Sequence, residues 1–181
     1  MKSIYVIRHA ARDFGSVHLN AEGVRAARLL GDRLGPMEYV ATSPAQRCIE
    51  TAVALGCAVQ QEADELALPE DDDRMAELDR VRTFSDAVRL AAHGMHLPTY
   101  ARELRLFVER AANALLDNQD ALLVTHGGIV ELIAAAVDAS AAVQFSDGVG
   151  YCDGVRICIA GSPSVEDALC RVIRIECAPD S

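Results

Sequence analysis

Residues 121–125 (ALLVT) run through His126-Gly127-Gly128 straight into an apolar helix, Ile129–Val137, and this unit constrains the fold more than any other stretch. A strand and a following helix that are both rich in apolar side chains belong to a sheet covered by helices. The same order recurs upstream. Residues 3–7 read as a buried first strand, and Ala21, Val24, Ala27, Leu30 and Leu34 then recur at helical spacing. The spacing predicts a helix over Ala21–Leu34, with Asn20 as N-cap and Gly35-Pro36 as its end. Residues 38–42 read as a second strand, followed by a helix through Ala45, Cys48, Ile49, Ala52 and Leu55 that stops at Gly56. Ser43 is its expected cap, with Pro44 at the first position.

Residues 62–74 are acidic, contain Pro69, and read as an exposed loop. Two helices are expected over residues 75–92 and 98–117, separated at His93-Gly94-Met95-His96. Beyond residue 137 the character changes. Residues 149–152 and 155–160 flank Asp153-Gly154, a two-residue hairpin signal, and residues 169–176 read as a last strand. Strands alternating with helices, then a β-rich tail, predict a three-layer α/β/α sandwich, mostly parallel with an antiparallel edge.

The chain has 181 residues, which predicts one domain over 1–181, and 51% hydrophobic residues provide for a buried core. A formal net charge of −10 argues against nucleic-acid and anionic-membrane partners, since either needs a basic face. No stretch approaches the roughly 20 apolar residues of a membrane span, and the apolar run at the N-terminus is too short for a signal peptide. The 6 cysteines form no CxxC and no zinc-like spacing, so they read as reduced thiols and the expected location is cytoplasmic. Oligomeric state stays open: the apolar alternation of the tail can pair with another chain or finish the sheet.

Three expected strands end in residues of one chemistry. The first runs into Arg8-His9-Ala10-Ala11-Arg12, the second into Thr42-Ser43-Pro44-Ala45-Gln46-Arg47, and the third into His126-Gly127-Gly128. Open α/β sheets bind ligands beyond the carboxyl ends of their strands. Parallel neighbours would bring Arg8, His9, Arg47 and His126 to one spot, with Arg47 leaning back from the first turn of its helix. Arginines clamp a dianionic phosphoryl group by charge-assisted bonds, and helix starts after Ser43 and Gly127 add backbone donors. One histidine in such a cage can attack phosphorus, and a second, protonated, can stabilise the transition state. Taken singly, His9 also reads as a satisfied strand-end histidine, Arg47 as a surface residue and Gly127-Gly128 as a close-packing device. Their common edge is what carries the functional reading. His18, His93 and His96 read as structural or solvated.

Ile7-Arg8-His9-Ala10 resembles the arginine–histidine–glycine signature of the histidine phosphatase (phosphoglycerate mutase-like) superfamily. Leu19-Asn20-Ala21-Glu22-Gly23, Ser43-Pro44-Ala45-Gln46-Arg47 with Thr51-Ala52, and Val124-Thr125-His126-Gly127-Gly128 are similar to three further motifs of that family, in family order. The resemblance implies a flavodoxin-like sheet, no metal or other cofactor, His9 as phosphate-accepting nucleophile, Arg8 and Arg47 as clamps, and His126 as the second pocket histidine. Arg12 stands where the acid-phosphatase branch carries a third phosphate-binding arginine. That branch has an acid directly after the second histidine, where this chain has Gly127. The family's other acid position, in the loop after the arginine helix, falls on Leu68, with Glu65 and Glu70 as neighbours, and a small loop shift makes Glu70 the expected proton donor. The expected function is a metal-independent phosphatase acting on a phosphomonoester or phosphoramidate, carried by a small molecule or a phosphoprotein. Two rival readings are a phosphoglycerate mutase, disfavoured because the Gly-Glu-Ser/Thr segment is missing, and a non-catalytic phosphate-binding module.

Overall fold

The computed structural model describes residues 1–160 and 169–177. Its sheet is built from β1 (Lys2–Arg8), β2 (Tyr39–Thr42), β3 (Gln61–Glu62), β4 (Asp120–Thr125), β5 (Gly154–Ala160) and β6 (Leu169–Ile175). The spatial order is β3-β2-β4-β1-β5-β6. β1, β2, β3 and β4 pair in parallel, whereas β5 runs antiparallel to both β1 and β6. The mostly parallel sheet with an antiparallel edge is the architecture expected from the sequence.

Side chains alternate across β1, and the alternation divides the core into two layers. Tyr5 and Ile7 face the helices α1 (Ala21–Leu34) and α2 (Gln46–Ala54), where they pack with Ala27, Leu30, Cys48 and Ala52. Ile4 and Val6 face the opposite layer, built from α3 (Asp72–Leu78), α4 (Phe84–His93), α5 (Leu97–Ala114), α6 (Ile129–Val137) and α7 (Ala139–Ala142). α1 and α6 have the expected bounds, and Asn20 caps α1 by accepting from Gly23 N at 2.8 Å. Among the described residues no helix is long and apolar enough to cross a membrane, and Cys48, Cys57, Cys152 and Cys158 are free thiols. The side chain of Cys170 lies outside the described residues.

Four local expectations need correction. Ser43 is not the cap of α2: the helix begins at Gln46 after Ala45, which leaves Ser43 and Pro44 outside it, and the Ser43 hydroxyl accepts from Ala45 N at 3.3 Å and lies 2.9 Å from His126 Nε2. Residues 62–74 are not all exposed loop: Asp64–Leu66 forms a 3-10 turn that buries Leu66 completely, and Thr125 Oγ1 donates to the Leu66 carbonyl at 2.6 Å. The helix expected over 75–92 is two helices. Asp79 ends α3, and a reciprocal cap between Thr83 and Asp86 starts α4. No hairpin forms at Asp153-Gly154. Residues 149–152 instead fold over the end of β1, where Cys152 N donates to the carbonyls of Arg8 and His9 at 3.2 and 3.3 Å.

Candidate active site

Pairing of β1 with β4 sets Arg8 opposite Thr125, so His9 and His126 leave neighbouring strands in step. His9 N donates to the Thr125 carbonyl at 2.9 Å, which locks the two chain ends together. α2 is tied in by Thr51, whose hydroxyl accepts from Ala10 N at 2.9 Å and donates to the Arg47 carbonyl at 2.6 Å. The helix carrying Arg47 is thereby registered on the segment carrying His9.

The two imidazoles are buried, at 5% and 3% exposure, with ring centroids 5.5 Å apart. One guanidinium serves both: Arg47 Nε lies 3.2 Å from His9 Nε2, and its NH2 lies 3.2 Å from His126 Nδ1. Because a guanidinium only donates, both of those ring nitrogens must be unprotonated acceptors. His9 therefore carries its proton on Nδ1, which donates to the Ala10 carbonyl at 2.9 Å, and His126 carries its proton on Nε2, 2.9 Å from Ser43 Oγ. Burial first, and the surrounding arginines next, hold both rings neutral: His9 is lowered to about 4 and His126 to about 3.

Arg8 donates from NH1 to the Val149 carbonyl at 2.8 Å and lies 4.2 Å from the centre of the Tyr151 ring. A Cβ on Gly127 would sit 3.2 Å from the Arg8 guanidinium, so that glycine leaves the arginine its room. Arg12 donates from NH1 to the Ser16 carbonyl at 2.6 Å. Its segment is gripped by α1: a Cβ on Gly23 would come within 2.1 Å of the Ala11 carbonyl oxygen, an approach only glycine permits. Among the described residues, the buried Nε atoms of Arg8 and Arg12 have no hydrogen-bond partner. Buried donors of this kind are costly unless an anion takes them up.

These groups line a cavity of about 290 Å³. Arg8, His9, Arg12, Arg47 and His126 all border it, together with Arg82, Tyr151 and an apolar wall of Leu68, Met75, Leu78, Val81 and Val149. Glu70 does not. It is exposed and outside the cavity lining, and the next residue, Asp71, is fixed as the cap of α3 by accepting from Arg74 N at 2.7 Å. The loop shift expected to bring Glu70 in is therefore not made, and Leu68 occupies the wall. Glu65 is also turned away, ion-paired with Arg110 at 2.6 Å. The carboxylates that do line the cavity are Asp79 and Glu131. Glu131 was legible in principle, since an acid three residues into a helix caps its first amide: it accepts from Gly128 N at 2.7 Å. Tyr151 carried no signal, because its segment reads as a strand. Among the described residues no group of three or more His, Cys, Asp or Glu side chains is placed to hold a metal ion.

The sequence profile described as the histidine phosphatase superfamily (branch 1) matches residues 4–152. No curated protein sequence matches the chain. Among solved structures, a mycobacterial glucosyl-3-phosphoglycerate phosphatase is similar at 17% identity with a TM-score of 0.66, covering 97% of this chain and 98% of that one. A phosphoserine phosphatase from Entamoeba histolytica, complexed with 3-phosphoglyceric acid, is similar at 13% identity with a TM-score of 0.63, covering 87% and 91%. The protein YhfR of Bacillus stearothermophilus gives 19% identity and a TM-score of 0.61, covering 89% and 93%.

Proposed function

Because the chain belongs to branch 1 of the histidine phosphatase superfamily, we propose that it hydrolyses a small phosphomonoester by way of a phosphohistidine on His9. The observation that carries this reading is the pair of contacts from Arg47. They leave His9 Nε2 with its lone pair on the side of a phosphate clamp and its proton on the far nitrogen. A neutral imidazole held in that tautomer is a ready nucleophile at neutral pH.

In the forward step, His9 Nε2 attacks phosphorus as the bond to the leaving oxygen breaks. Arg8, Arg12 and Arg47 hold the three equatorial oxygens by charge-assisted bonds, which matter most where charge is redistributed in the transition state. His126 enters neutral, and a phosphoryl dianion at the site favours its protonated form, which then adds a further positive charge. Water attacks the phosphohistidine in the second step and releases inorganic phosphate. The cavity of about 290 Å³ suits a phosphoryl group with a small leaving group. The similar structures named for phosphoserine and glucosyl-3-phosphoglycerate phosphatases support a small phosphorylated substrate, and a phosphorylated side chain of a protein is the second candidate. A cytoplasmic location and a single domain over 1–181 belong to the same reading.

The test is to quench the enzyme during turnover of an aryl phosphate labelled at phosphorus. A protein adduct that is labile in acid and stable in alkali is expected in the wild type and lost in His9→Ala together with turnover. Wild-type turnover by His9→Ala would remove the assignment.

A further inference from the structure

A leaving alkoxide needs a proton, and among the described residues the acidic ones that border the cavity are Asp79 and Glu131. Glu131 is ill suited to give one. It is 3% exposed, and its Oε2 and Oε1 accept the backbone amides of Gly128 and Val149 at 2.7 and 2.8 Å. Both oxygens are thus occupied as acceptors in the wall.

Asp79 is different. It is exposed and borders the cavity, and among the described residues its carboxyl group has no hydrogen bond or ion pair, although four arginines border the same space. Its backbone is held firmly. Asp79 N donates to the Met75 carbonyl at 2.9 Å. Two residues earlier, buried Glu77 accepts the amides of Met95, His96 and Leu97 at 2.9, 2.7 and 3.1 Å, which pins the end of α3 to the start of α5. The end of α3 also abuts the second histidine's loop. A Cβ on Gly128 would lie 3.6 Å from the Leu78 carbonyl oxygen, and that carbonyl is bonded directly to Asp79. The carboxyl group therefore stands on a rigid support beside the turn that carries His126.

Resting on the phosphatase reading above, we propose that Asp79 is the general acid that protonates the leaving oxygen, and the base that activates water in the second step. With a phosphoryl dianion in the arginine cage, protonation of Asp79 removes a like-charge repulsion. As the Nε2–P bond forms and the P–O bond breaks, the bonding pair stays on the leaving oxygen, which takes the Asp79 proton and departs as an alcohol. The resulting carboxylate then takes a proton from water as its oxygen bonds to phosphorus and the P–N bond breaks. Phosphate leaves, and the acid is restored.

Asp79→Asn keeps the shape and removes the proton. The expected loss with an alkyl phosphate is about 10²- to 10⁴-fold in kcat/KM. With 4-nitrophenyl phosphate, whose leaving group departs as a stable anion, phosphohistidine formation should change less than about threefold, and this substrate also reports that the variant is folded. Equal losses on both substrates, or no loss on either, would overturn the assignment. A wild type that forms no adduct even with the aryl ester would overturn the phosphatase reading itself, and this one with it.

Discussion

Arg47 Nε points at His9 Nε2 from 3.2 Å, so the proposed clamp and the proposed nucleophile are in contact before any substrate arrives. The contact has two consequences. It selects the tautomer of His9, and it places a positive charge beside the nitrogen that must stay unprotonated. The same guanidinium reaches His126 Nδ1, so one side chain orders both rings. When a phosphoryl group enters, its oxygens compete for these N–H donors. Exchange of a nitrogen acceptor for an anionic oxygen strengthens each bond.

Arg47→Ala should therefore lower kcat more than it raises KM. Hydrogen bonds to charged groups contribute about 1.5–3 kcal/mol each, which corresponds to a loss of about tenfold to a few hundredfold. Arg47→Lys should recover only part of it, because an ammonium cannot donate to two rings and a phosphoryl oxygen from one plane. Steady-state kinetics on an aryl phosphate check both, and a fully active lysine variant would show that only the charge matters.

The pH dependence follows from the neutral rings. His9 is lowered to about 4 and His126 to about 3, chiefly by burial, against about 6.5 in an unfolded chain. Between those values the unfolded chain binds more protons than the folded one. The stability linked to these rings is thus fully present above about pH 6.5 and is lost as pH falls through about 4, at up to about 1.4 kcal/mol per pH unit for each ring. Urea unfolding from pH 7 to 4 should show this decline, and a His9→Asn/His126→Asn double variant should show a shallower one. Parallel curves for the two proteins would contradict it. Added phosphate should raise both imidazole titrations, readable by NMR, because an anion stabilises the imidazolium.

The sheet and most of the cage were legible in the sequence because strand ends carry their own signature. Arg8, His9 and His126 follow directly on short apolar runs that read as buried strands, and Arg47 lies just past another such run, in the first turn of the helix that follows it. The proposed acid was not legible. Glu70 is near the site in sequence, but the cap that Asp71 places on α3 holds it outside the cavity. Asp79 enters because the helix expected over 75–92 breaks there, and the break is set by the Thr83–Asp86 cap rather than by any glycine or proline. Residues 149–152 show the same limit. Their apolar alternation reads as a strand, yet Cys152 N donates to the carbonyls of Arg8 and His9 instead of entering a hairpin, and its neighbour Tyr151 lies against Arg8.

Glu131 links this wall to the clamp, and its removal provides the last test. The carboxylate accepts Val149 N at 2.8 Å, and the Val149 carbonyl in turn accepts Arg8 NH1 at 2.8 Å, so a buried acid holds the residue that holds the arginine. Burial raises the Glu131 pKa, while its bonds from Val149 and Gly128 act in the opposite direction. Glu131→Gln keeps the volume, but its amide nitrogen cannot accept, so one of the two backbone N–H groups must face another donor. Leaving a buried donor unsatisfied costs about 1–3 kcal/mol. The urea midpoint of Glu131→Gln should fall accordingly at pH 7, and that of Glu131→Ala should fall further, since it orphans both amides and opens a cavity. Midpoints equal to the wild type in both variants would mean that the wall, and with it the Val149 carbonyl that holds Arg8, stands without the carboxylate.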